Sequence, residues 1–147
     1  MLAGASRGTV SGFISSEDFE LDLSGASTLD MSGISVDDIG FDISGVSRVT
    51  GDITADDARC DISRAGRVEL AGSADDIVVD VSGASSVELD DSPANNAEVK
   101  LNGASRGTVN LNSRLDINLS GASNIQYIKQ PATDGIDISS GSTISSR

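Results

Sequence analysis

Apolar and polar residues alternate in short runs along the whole chain, as in Ile39-Gly-Phe41-Asp-Ile43 and Ile77-Val-Val79-Asp-Val81. A period of two predicts a strand with one buried face. Each run closes on a small motif, apolar-Ser-Gly-Ala-Ser, after which alternation resumes, in Leu29 with Met31, Val68 with Leu70, Val87 with Leu89, Val109 with Leu111 and Ile125 with Tyr127. Two strands and a polar segment therefore recur as one unit. That unit is shorter than a strand-helix-strand crossover, which needs roughly 30 residues, so no helix is expected.

The motif appears as Leu2-Ala-Gly-Ala-Ser6, Leu23-Ser-Gly-Ala-Ser27, Ile43-Ser-Gly-Val-Ser47, Ile62-Ser-Arg-Ala-Gly66, Val81-Ser-Gly-Ala-Ser85, Leu101-Asn-Gly-Ala-Ser105, Leu119-Ser-Gly-Ala-Ser123 and, degraded, Ile138-Ser-Ser-Gly-Ser142. Its third position falls at 4, 25, 45, 64, 83, 103, 121 and 140, in steps of 18 to 21 residues. A near-constant step marks a repeat architecture in which like positions stack on like. The expectation is an all-β parallel β-helix, a right-handed solenoid of about eight rungs of about 20 residues, filling 1–147 as a single domain. An antiparallel sandwich would also use short strands, but it has no reason to repeat residue types at this period.

Stacking turns each aligned position into a column. Leu2, Leu23, Ile43, Ile62, Val81, Leu101, Leu119 and Ile138 make one apolar column, and Leu21, Phe41, Cys60, Val79, Val99, Ile117 and Ile136 another. Both are expected inside. The glycine supplies the backbone dihedrals of a corner. The column Ala5, Ala26, Val46, Ala65, Ala84, Ala104 and Ala122 is expected to stay small because a bulky side chain would collide with the rung above. The serines Ser24, Ser44, Ser63, Ser82, Ser120 and Ser139 read as an outward ladder.

Composition narrows the functions. Apolar residues make up 37% of the chain and aromatics 3%, with no Trp, so the core must be built from Leu, Ile, Val and Ala. The net charge of −13 opposes nucleic-acid phosphates and anionic lipid surfaces. Direct membrane insertion is not expected either, since no apolar run approaches the roughly 20 residues of a spanning segment. The amino terminus carries no basic-then-apolar address. With no His in the chain, triads built on that base are excluded. Cys60 cannot form an internal disulfide and sits in an apolar column, which predicts a buried, inert thiol.

The run of Leu-Ser-Gly-Ala-Ser corners, each followed by an apolar-polar-apolar strand, resembles the auto-transporter adhesin, head GIN domain family. Leu115-Asp-Ile-Asn-Leu-Ser-Gly-Ala-Ser-Asn-Ile-Gln-Tyr127, followed after a Pro131 turn by Ile136-Asp-Ile-Ser-Ser-Gly-Ser142, is similar to the end of that domain. The resemblance implies a β-helical fold, a cell-envelope or extracellular location and no catalytic residue to carry over. It also implies a further amino-terminal β segment in longer members, so the chain is expected to be a fragment of a longer exported protein.

The carboxylates repeat too. Glu17-Asp18, Asp37-Asp38, Asp56-Asp57 and Asp75-Asp76 precede successive strands, then give way to Asn95-Asn96 and Ser113-Arg114, while Asp22, Asp42, Asp61 and Asp80 form a neighbouring outward ladder. Stacked like charges are unfavourable unless screened or neutralised. Oxygen-rich stacks suit Ca²⁺, which makes Asp37, Asp38, Asp56, Asp57, Asp75 and Asp76 candidate ligands and Ca²⁺ the one cofactor suggested. Asp and Asn are equally favoured as turn residues that bond their own backbone. Arg7, Arg48, Arg67 and Arg106, interleaved with Thr28, Ser86 and Asn124, are placed to pair with Asp30, Glu69 and Glu88. Tyr127 falls in the column of Met31, Leu70, Leu89 and Val109.

These features favour a non-enzymatic cell-envelope or surface module, structural or adhesin-like, that presents a rigid polar face to a protein or polysaccharide partner. A carbohydrate-active β-helix enzyme is the contrasting reading, and a passive scaffold a third. The enzyme needs a cleft with a unique acid pair, whereas these acids repeat. Exposed end rungs could also drive self-association.

Overall fold

The computed structural model describes residues 1–129 and 132–147, which leaves the Pro131 turn outside the described residues. Eleven strands form one sheet: β1 (Arg7–Ser11), β2 (Phe19–Leu23), β3 (Thr28–Ser35), β4 (Asp38–Ile43), β5 (Arg48–Ile62), β6 (Arg67–Val81), β7 (Ser86–Leu101), β8 (Arg106–Leu119), β9 (Asn124–Ile128), β10 (Ala132–Ile138) and β11 (Thr143–Ser146). Every described pairing between them is parallel. No helix occurs among the described residues. The chain coils into a β-solenoid of about seven turns, one fewer than its eight corner motifs because eight corners bound seven complete turns.

Register within the coil aligns equivalent residues. Phe41 faces Cys60, Cys60 faces Val79, Val79 faces Val99 and Val99 faces Ile117, while Ile43, Ile62, Val81, Leu101 and Leu119 form the adjoining column. All of these are buried, the second column at no more than 1% exposure. Backbone hydrogen bonds run from rung to rung, parallel to the solenoid axis, and continue through the corners: Ser44 N–H donates to Leu23 O at 2.8 Å, Ala104 N–H to Gly83 O at 2.8 Å and Arg106 N–H to Ser85 O at 2.9 Å. Hydrogen bonding therefore runs unbroken through the glycine corners, whereas at other bends the register shifts, as between Glu69 and Ala74 and between Leu89 and Pro93.

The corner residue must adopt positive φ and also come very close to the rung beneath it. Gly45 has φ +85, and a Cβ added there would lie 2.3 Å from Gly25 O. Two residues later the chain turns inward again on a serine. Ser27, Ser47, Ser85, Ser105 and Ser123 are buried, and each hydroxyl donates to the carbonyl three residues back, as Ser27 does to Ser24 O at 2.8 Å and Ser123 to Ser120 O at 2.9 Å. Most also approach the corner carbonyl of the preceding rung, as Ser105 does to Gly83 O at 3.2 Å. These hydroxyls close the corner from inside, where an unbonded polar group would cost about 1–3 kcal/mol.

One expectation is corrected. The alanine column does not lie against the rung above: Ala26, Ala65, Ala84, Ala104 and Ala122 are exposed, and Val46 stands 69% exposed among them. The residue after the left-handed corner points to solvent, so packing does not demand its small size. The outward serine ladder is as expected, with Ser24, Ser44, Ser63 and Ser120 half-buried and Ser82 and Ser139 exposed.

At the ends of the stack the inward columns lose their cover. Phe13 and Phe19 lean together at the first rungs with ring centroids 5.0 Å apart, and Ile136 and Ile138 in β10 are 47% and 38% exposed.

Gly45→Ala is expected to destabilise the protein by about 1–3 kcal/mol, combining a strained dihedral with a backbone clash. At Gly4 a Cβ meets nothing within 4 Å, so Gly4→Ala should lose distinctly less. Urea unfolding of the two variants checks the difference. Leu101→Ala, in the fully buried column, should cost about 2–5 kcal/mol in the same assay.

Candidate functional site

Residues alternate in and out along each strand, so one face of the coil is written by three outward columns about 6.6 Å apart. The first is Asp38, Asp57, Asp76, Asn96 and Arg114; the second is Glu20, Gly40, Arg59, Val78, Glu98, Asp116 and Gly135; the third is Asp22, Asp42, Asp61, Asp80, Lys100, Asn118 and Asp137. Carboxylates outnumber Arg59, Lys100 and Arg114 on this face. Gly40 has no side chain, which leaves an open groove of about 480 Å³ over the face, lined by Asp18, Phe19, Asp38, Gly40, Asp57, Arg59 and Val78 among others.

The structure brings Asp38, Asp57 and Asp76 into one column. Their partners Asp37, Asp56 and Asp75 sit beside them at the bend, exposed, with Asp56 N–H donating to Asp37 O at 2.8 Å. Loss of solvent, followed by the fields of Asp38, Asp76, Asp56 and Asp75, raises the pKa of Asp57 above the usual carboxylate value. At the next rung the repulsion is relieved: Asn95 Nδ2 donates to Asp75 Oδ1 at 3.1 Å and Asn96 Nδ2 to Asp76 Oδ1 at 2.6 Å. Further along, Lys100 pairs with Glu98 at 2.6 Å, and this hydrogen bond and charge hold the Glu98 carboxyl below its ordinary range. Among the described residues, no three Asp, Glu, Cys or His side chains are grouped as a metal site requires. The six candidate aspartates form two rows along the axis.

The face beyond the corner has a different character. Arg7, Thr28, Arg48, Arg67, Ser86, Arg106, Asn124 and Thr143 form a single column. As the sequence suggested, Arg67 bridges Glu69 at 2.5 Å and Glu88 at 3.0 Å, and Arg7 lies 3.9 Å from Asp30. Thr50 Oγ1 also donates to Asp30, at 2.6 Å to Oδ1. Arg48 and Arg106 are exposed and take no ion-pair partner among the described residues.

The buried corner serines Ser27, Ser47, Ser85, Ser105 and Ser123 donate their protons to backbone carbonyls, and Cys60 is 1% exposed, with burial pushing its thiol up to about 12. Sequence reasoning had singled out the exposed serine ladder and passed over the buried one. The signal was present, because Ser27 lies two residues before the inward Leu29 and so shares its parity.

Regular outward ladders on a parallel coil, with acids dispersed along the axis, define a β-solenoid with patterned polar faces. The chain belongs to the family described as putative auto-transporter adhesin, head GIN domain, whose model matches residues 14–131. No curated protein and no solved structure matches the chain.

Because the pKa of Asp57 is higher in the folded chain than in the unfolded one, the native state takes up the extra proton, and stability falls as pH rises from the unfolded value through the folded one. Asp57→Asn should therefore raise the melting temperature by about 1–3 °C at pH 7. The gain should shrink as the pH is lowered through the unfolded value of 3.8 and vanish well below it, where Asp57 is protonated in both states. Melting curves across that range check both sign and window. Cys60 should stay unlabelled by a thiol reagent at pH 8 in the native protein and react fully in denaturant.

Proposed function

We propose that this chain is a non-enzymatic module of the cell surface or envelope, which offers its rigid outward ladders to a protein or polysaccharide partner. The observation that carries this reading is the dispersal of the acids. Asp38, Asp57 and Asp76 run along the axis in register, and so do Asp22, Asp42, Asp61 and Asp80. Glycoside hydrolysis needs two carboxyls that flank one bond, with one held protonated. Here Asp57, the one carboxylate among the described residues whose pKa is raised, has its equivalents Asp38 and Asp76 on the neighbouring rungs, stacked along the axis and not set across a cleft. The adhesin description of the family supports the surface placement.

The groove over Gly40 and the acidic columns beside it act, on this reading, as a diffuse field that gathers cations without chelating them. Calcium coordination by Asp37, Asp38, Asp56, Asp57, Asp75 and Asp76 is the reading to separate from it. Calorimetric titration of chelator-treated protein should give no saturable heat, and Mg²⁺ and Ca²⁺ should raise the melting temperature equally at matched ionic strength. A saturable, Ca²⁺-selective heat that Asp57→Asn abolishes would assign the six aspartates as a metal site. For catalysis, incubation with acidic and neutral polysaccharides should release no new reducing ends and no unsaturated products. Their appearance would establish the carbohydrate-active alternative.

A further inference from the structure

In a solenoid of matched columns, a residue that departs from its column has escaped the constraint its neighbours obey. Two such departures stand on adjacent rungs of one ridge. The third position of the corner motif is glycine in every interior copy but one, where Arg64 holds the left-handed conformation at φ +75. A Cβ at the equivalent Gly25, Gly45, Gly83, Gly103 and Gly121 would come within 2.3 to 2.6 Å of the carbonyl oxygen beneath. Arg64 has that Cβ, and the local cost is visible. Ala65 N–H reaches Gly45 O at 3.1 Å, whereas the same bond in the neighbouring rungs is 2.6 to 2.8 Å. The strain secures nothing through the side chain, since Arg64 is exposed and its guanidinium makes no hydrogen bond or ion pair among the described residues, while its carbonyl only accepts the ordinary corner bonds from Ala84 N–H at 2.6 Å and the Ser85 hydroxyl at 3.2 Å. Backbone strain of this kind is concentrated at functional positions.

One rung below, Val46 replaces alanine in the exposed corner column and stands 69% exposed. Arg48, directly in register with Arg67, adds a second exposed guanidinium without an ion-pair partner among the described residues. In a chain of net charge −13, this is a local basic spot with an apolar contact at its centre.

We infer that the ridge formed by Arg64, Val46 and Arg48 is a binding site for a carboxylate-bearing polysaccharide. Three observations choose this ligand. Guanidinium groups pair with carboxylates in a planar, bidentate fashion. Among the described residues no aromatic side chain stands on this ridge to hold a neutral sugar by its face, so charge has to carry the affinity. At this corner the N–H groups of Ser63, Ala65 and Arg67 are all bonded to the rung below, so an acidic peptide cannot dock here by adding a strand and would have only its side-chain carboxylates to hold it. The exposed or half-buried hydroxyls of Ser63 and Ser82 lie along the same ridge, suited to a ligand rich in hydroxyls. Asp42 and Asp61, on the far side of the corner, confine an anionic ligand to the ridge and the arginine side.

The inference rests on the surface-module reading and names its partner. The test is binding of oligogalacturonate to the whole chain, with a maltooligosaccharide of equal length and oligoglutamate as comparators. Oligogalacturonate should bind and weaken steeply with salt, while the comparators bind at least tenfold more weakly. Arg64→Gly restores the residue of its column, so it should raise the melting temperature by about 2–4 °C while weakening binding at least tenfold. Arg64→Gln keeps the strained Cβ and removes the charge, so it should lose binding with no thermal gain. Arg106→Ala, three rungs from Arg48 and two from the Arg64 corner, should bind as the parent does. Loss of binding in both Arg64 variants with Arg106→Ala unaffected supports the site. Oligogalacturonate binding that survives both variants overturns the site but leaves a polysaccharide-binding surface module standing. Preference for oligoglutamate overturns the ligand in favour of an acidic protein, and failure of all three probes to bind overturns the inference outright.

Discussion

Hydrogen bonding between rungs, in register and about 4.8 Å apart, is the interaction on which the other features of this molecule depend. Once Phe41 lies opposite Cys60 and Cys60 opposite Val79, no residue can be chosen for its own rung alone. An apolar column must stay apolar from end to end, and a single charge among Leu23, Ile43, Ile62 and Val81 would be buried without a partner. The same rule makes the corner severe. Bonds such as Val46 N–H to Gly25 O, at 2.7 Å, hold adjacent corners so close that a side chain is excluded from the left-handed position.

Positions governed by that stacking were legible from sequence, because each column repeats its residue type with the rung period. The inward columns, the burial of Cys60, the outward serines and the Asp22 to Asp80 ladder are all of this kind. What escaped was set by direction at the bends, where alternation stops and neighbouring side chains no longer face opposite ways. The alanine column looked confined and is exposed, while the serine that follows it is the buried member of the motif. Asp37, Asp56 and Asp75 fall at another bend, and for that reason repetition alone could not tell whether the aspartate pairs converge or run side by side.

The same geometry distributes charge. Stacking multiplies whatever stands in an outward column, so the protein has faces of distinct sign although its net charge is strongly negative. It moderates its own acidic stack by exchanging aspartate for Asn96 and then Arg114 along one column, and for Lys100 along another. Across the corner, Arg67 links its own rung to the next through Glu69 and Glu88. These exposed, solvent-screened pairs add little to stability, but they set the polarity of the two faces on either side of the corner ridge.

The alignment of the inter-rung bonds with the long axis has a mechanical consequence. Compression along the axis is met by every backbone ladder of the coil acting together. Tension between the two ends acts differently, because it concentrates on the outermost rung and opens its bonds in sequence, like a zip. Each rung that peels away would release about 20 residues, or roughly 65–70 Å of extended chain. Loaded by its termini, the molecule would therefore lengthen in repeated steps at modest force, dissipating a pull that a shear-loaded sheet would resist until it failed at once.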